Sequence, residues 1–123
     1  MMKNILLIAL MTVCFGTLNA QKTSSIHLID PAALRLAIEK TSPLIIDVRT
    51  PEEYNEGHIA HAVNIDFLAQ DSFVQKIAAL DKAQSVYLYC RSGNRSGKAA
   101  LQLDSLGFKH IYDLEGGYTE WQE

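Results

Sequence analysis

The sequence predicts an α/β fold: a small parallel sheet with helices on both faces. Short apolar runs alternate with helical patterns along the chain. The strand-like runs "PLIIDVR" and "SVYLYC" are compact and apolar, as strands buried on both faces are. Two of the helical patterns open with a capping residue followed by proline.

"HLIDPAALRLAIEK" reads as a short strand and then a helix. Asp30 is the N-cap, and Pro31 takes the first helical position, where no N–H is needed. "PLIIDVR" reads as a buried strand ending near Arg49. "TPEEYNEGH" repeats the start signal, with Thr50 as cap and Glu52 and Glu53 at the positive helix end. Gly57 stops this short helix. "AVNI" is a short strand, and "DSFVQKIAAL" puts Phe73, Ile77 and Leu80 on one helical face. "SVYLYC" is the next strand. "SGKAALQLDSLG" spaces Ala99, Leu103 and Leu106 as a helix does, with Gly107 as its stop. "FKHIYDL" is the last strand, and "EGGYTEW" closes the chain with a Gly-Gly turn and an aromatic pair.

The chain has 123 residues and a formal charge of −3. It carries no basic block, which argues against a nucleic-acid partner. Lys3, the apolar run Ile5 to Phe15 and the small-residue stretch ending at Ala20 have the layout of a secretory signal. The expected division is therefore a signal over residues 1–20 and one domain over 21–123, periplasmic or secreted, without a membrane span after cleavage. Lipid attachment at Cys14 is the lesser expectation, because Met11-Thr12-Val13 matches a lipobox poorly.

If Cys14 leaves with the signal, Cys90 is the one thiol of the mature chain and has no intramolecular partner. A free cysteine is most often buried and inert. Here the neighbours Arg91, Ser92, Gly93, Asn94 and Arg95 argue against burial. Cys90 directly follows a strand, where ligands bind in parallel α/β sheets, and Asp47 is a candidate for the same edge. A loop between a strand and a helix start leaves backbone N–H groups unpaired, and these can curl into an anion nest. The nest, the helix dipole, Arg91 and Arg95 would favour thiolate over thiol. Gly93 lets the backbone turn where a Cβ would obstruct it. Ser92 and Ser96 can donate to a sulfur or an oxyanion.

Three segments, "LIIDVRTPEEYNEGHIAHAVNI", "CRSGNRS" and "GFKHIYDLEGGYTEW", resemble a single-domain rhodanese over about Ile26 to Trp121. The resemblance implies that Cys90 takes a sulfane sulfur and becomes a persulfide, cradled by the amides of the loop. Arg91 to Arg95, with Ser96, would complete the cradle. It also implies a small-molecule sulfur donor such as thiosulfate, a thiol or cyanide acceptor or a protein acceptor, and no cofactor or metal. His61 departs from the family, many of whose members have glycine there. A sulfur-relay or interaction module is the alternative from another class. A phosphatase of the Cdc25 type has a related fold but a ring one residue longer than the four residues between Cys90 and Arg95. For the remaining conspicuous residues, Arg49 and Glu53 are expected to form a structural ion pair. His58 and His61 are expected to serve a turn rather than a metal. Tyr118 and Trp121 are expected to be lids on the core.

Overall fold

The computed structural model describes residues 24–121. The expected signal, its cleavage site and Cys14 lie outside the described residues. Five strands form one parallel sheet: β1 (Ile26–Ile29), β2 (Leu44–Asp47), β3 (Val63–Asn64), β4 (Val86–Tyr89) and β5 (Ile111–Leu114). Their spatial order is β1-β5-β4-β2-β3, which puts β4 in the middle. The helices are α1 (Pro31–Thr41), α2 (Pro51–Glu56), α3 (Gln70–Ala78), α4 (Asn94–Ser105) and α5 (Gly117–Trp121).

The caps read from the sequence are in place. Asp30 Oδ1 accepts from Ala33 N–H at 2.8 Å. Thr50 and Glu53 form a reciprocal capping box. The C-terminal "EGGYTEW" is more than a turn, because Gly117–Trp121 forms a short helix.

Each strand sends alternate side chains to opposite faces, and each face has its own core. Ile46, Val86, Leu88 and Ile111 meet Phe73 and Ile77 of α3 and Ala99, Ala100 and Leu103 of α4. On the other face Ile45, Tyr89 and Leu114 meet Leu34 of α1, with Tyr54, Tyr118 and Trp121 packed around them. Fully burying a side chain such as Phe73 stabilises the fold by about 1.5–3 kcal/mol. Among the described residues no helix is long and apolar enough to cross a membrane.

His61 adopts φ +67°, the left-handed conformation that suits glycine. The turn thus keeps a glycine-like shape with histidine in it, closed by Ala62 N–H donating to Ile59 O at 3.0 Å.

Candidate active site

Cys90 ends the central strand, and α4 starts four residues later. Contrary to the sequence expectation, Cys90 is buried, at 1 % exposure. The Arg91, Ser92 and Asn94 side chains are exposed, while the loop backbone reaches the sulfur. Gly93 N–H donates to Cys90 Sγ at 3.1 Å. The thiol lies 3.4 Å from Ser96 Oγ, to which it donates. Burial pushes the Cys90 thiol up. The Ser96 hydroxyl and the amides of Ser96, Gly93 and Ser92 outweigh that, and its pKa falls below the ordinary value. Of the loop amides, Gly93 N–H is the one seen at hydrogen-bond distance from the sulfur.

Gly93 stands at φ +113°, yet a Cβ there would meet nothing within 4 Å. Its backbone angle, rather than the crowding expected from the sequence, requires glycine. Ser96 is fully buried, and its hydroxyl also approaches Gly93 O at 3.3 Å. Arg91, Ser92 and Asn94 are exposed.

Arg95 forms a bidentate ion pair with Glu53, Nη1 to Oε1 at 2.7 Å and Nη2 to Oε2 at 2.9 Å. This overturns the expected Arg49–Glu53 pair. The Arg95 bonds hold Glu53 at about 2, well below the usual carboxylate range. Arg95 also feels the charge of Cys90, so it adds to the local positive field while tied to Glu53.

Arg49 belongs to Asp47 instead. Asp47 accepts from Arg49 Nη2 at 2.7 Å, from Arg49 Nε at 3.0 Å and from Tyr89 Oη at 2.6 Å. All three side chains are buried. Burial pulls the Arg49 pKa down, but its bonds to Asp47 outweigh this and the pKa rises. Arg49 Nη2 also donates to Gly57 O at 2.7 Å, and the guanidinium lies 4.4 Å from the Tyr118 ring centre. Asp47 is therefore occupied in fixing Arg49 and Tyr89, which form a wall beside the loop.

That wall opens into a pocket of about 440 Å³ lined by Arg49, Glu53, Glu56, Gly57, Arg91, Tyr118 and Thr119. Sequence reasoning missed Gly57, Glu56 and Thr119 here and gave Tyr118 only a core role. It also missed a clamp at the start of the loop. Tyr118 N–H donates to Cys90 O at 2.8 Å, and Thr119 N–H and Oγ1 donate to Arg91 O at 3.0 and 2.9 Å. Gly117, at φ +57°, allows the approach: a Cβ there would lie 2.5 Å from Cys90 O. The available signal was the pair Gly116-Gly117 at the end of the last strand.

Comparisons with known proteins agree with this fold. The rhodanese-like domain family matches residues 30–123. The tRNA uridine(34) hydroxylase of Pelagibacter ubique is 32% identical over 109 residues, which is 89% of this chain but only 36% of that protein. This chain therefore spans about a third of that relative's length. The thiosulfate sulfurtransferase GlpE of Coxiella burnetii is 34% identical over 85 residues, 69% of this chain and 77% of that protein. The crystal structure of a rhodanese-related protein from Thermoplasma volcanium superimposes with a TM-score of 0.67 at 33% identity, covering 77% of this chain and 89% of that one. With the family matched across nearly all the described residues, and a sulfurtransferase among the relatives, this chain belongs to the rhodanese-like domain family.

Proposed function

We propose that this protein is an exported sulfurtransferase. It moves a sulfane sulfur from thiosulfate, or a similar donor, through a Cys90 persulfide to cyanide or a thiol. The observation that carries this reading is the sulfur of Cys90 under converging amides at the end of the central strand, with its thiol shifted toward thiolate. Thiolate is the nucleophilic form.

The reaction runs in two steps. Cys90 Sγ attacks the outer sulfur of thiosulfate. A sulfur–sulfur bond forms as the bond to the sulfonate breaks, and its electron pair leaves with sulfite. The persulfide anion then sits where donors already converge, so the cradle stabilises the charge as it moves outward from Sγ. In the second step the acceptor attacks the outer sulfur, and Cys90 leaves as thiolate. Arg91, exposed at the pocket, is the guanidinium placed to meet the anionic donor. Arg95 contributes field rather than a free fork, because Glu53 holds it.

The test is thiosulfate-to-cyanide transfer by wild type and Cys90→Ser, with intact mass before and after thiosulfate. Wild type should gain one sulfur and turn over, and the folded Cys90→Ser should do neither. Substantial turnover by the variant would overturn the assignment. Sulfur uptake without steady-state turnover would favour a relay, and the mass of protein from the cell envelope would report whether residues 1–20 are removed.

A further inference from the structure

Asp113 is a buried acid that the sulfur-transfer reading leaves unused. It lies on β5, in register with Leu88 of β4 and Leu28 of β1. Leu88 precedes Cys90 by two residues, so Asp113 and Cys90 share the face of the sheet that α4 covers. Apart from Cys90 and Ser96 that face is apolar, built from Val86, Leu88, Ile111, Ala99, Ala100 and Leu103. Asp113 is 4 % exposed, and its Oδ1 has no hydrogen-bond partner. A bare carboxylate in such surroundings is costly. Its Oδ2 faces the first turn of α4, 3.8 Å from where a Cβ on Gly97 would stand, next to Ser96. Burial pushes the Asp113 carboxyl up, and the Ser96 side chain pulls the other way.

Ser96 is the same hydroxyl that lies 3.4 Å from Cys90 Sγ. It has one proton and three acceptors around it: Gly93 O, the Cys90 sulfur and the Asp113 carboxyl. A neutral Asp113 can donate to Ser96 Oγ, which leaves the Ser96 proton for the thiolate. An ionised Asp113 draws that proton to itself and adds a second negative charge behind the sulfur.

We propose that Asp113 is a positioning residue for Cys90 that acts through Ser96. By holding or losing its own proton, it sets whether the Ser96 hydroxyl donates to the sulfur. On this proposal Cys90 and Asp113 titrate as one coupled pair. Among the described residues, the other titratable groups on the elements packed against Asp113 lie elsewhere, and Asp104 sits near the far end of α4. Tyr87 and Tyr89 on β4, Tyr112 on β5 and His27 on β1 occupy alternate positions, on the opposite face. On α4, Lys98 is exposed and Arg95 is held by Glu53. The proposal rests on Cys90 being the working thiol.

The test follows protonation rather than turnover, so it can fail while sulfur transfer stands. Thiolate formation is followed against pH by its ultraviolet absorbance and by the rate of iodoacetamide alkylation, in wild type and Asp113→Asn. Asparagine keeps a donor for Ser96 and carries no charge. The variant should show a single-step thiolate curve displaced to lower pH, with alkylation below the midpoint about three- to tenfold faster than wild type. Superimposable curves from a folded variant would overturn the proposal, since a merely structural role leaves the curve in place. A second measurement needs no substitution. Carbon-13 NMR follows the Asp113 carboxyl in wild type with Cys90 free and with Cys90 capped as a methyl disulfide. Capping removes the thiolate charge, so Asp113 should then titrate at lower pH. An unchanged midpoint would also overturn the proposal.

Discussion

Replacing Gly117 with alanine tests whether α5 holds the start of the cysteine loop. The backbone there has φ +57°, where an alanine costs about 1–2 kcal/mol. Stiffening the unfolded chain returns about 0.4–1 kcal/mol. The close approach adds more. The new Cβ would lie 2.5 Å from Cys90 O, 2.6 Å from Arg91 O and 2.7 Å from Arg91 C, all backbone atoms that no rotamer can move. Either α5 or the loop must retreat, and the bonds from Tyr118 N–H and Thr119 N–H to those carbonyls go with it. Each such bond is worth about 1 kcal/mol. The total loss is about 2–4 kcal/mol. Gly93→Ala is the comparison, because it shares a positive φ, at +113°, but its Cβ meets nothing within 4 Å. It should lose only about 1 kcal/mol. Urea unfolding of the two variants measures the difference, with thiosulfate turnover followed in parallel. If Gly117→Ala is no less stable than Gly93→Ala, the clamp contributes nothing and the reasoning from close approach is wrong.

Tyr89→Phe should cost about 2–3 kcal/mol in urea unfolding, because it removes the hydroxyl that donates to Asp47 and accepts from Ile59 N–H, both buried. Glu53→Gln should cost about 1 kcal/mol at neutral pH, since the pair it breaks is only partly shielded from water. The Glu53 carboxyl is depressed from an ordinary 4.5 to about 2. Its contribution is therefore complete above about pH 4.5 and is lost as the pH falls toward 2. Acid unfolding curves of wild type and Glu53→Gln should converge across that window, and a constant offset would contradict the ion pair. Arg91→Ala should lower kcat/KM for thiosulfate about three- to tenfold more than for 3-mercaptopyruvate, which has one negative charge fewer. Equal losses on both donors would remove Arg91 from donor recognition.

Most of the elements, and the place of the candidate site, were legible in the sequence. The caps Asp30 and Thr50, the apolar strands and the glycine-rich loop after "VYLYC" are local signals, set by residues within a few positions of each other. The loop amides around Cys90 followed from the same local logic, because a strand passing into a helix leaves its N–H groups unpaired. The partners of the charged side chains came from the three-dimensional packing. Arg49 lies four residues before Glu53, and that proximity suggested a pair. Asp47 and Arg95 outcompete it, one from the strand end beneath and one from α4 across the cleft. Burial of Cys90 was illegible for a similar reason. The polarity of Arg91 to Arg95 describes their side chains, while the sulfur is covered by their backbone, which has no residue-specific signature. The clamp by α5 and the placing of Asp113 against the first turn of α4 join segments far apart in the chain. Such contacts depend on strand order, which puts β5 beside β4 and brings the C-terminal turn over the loop.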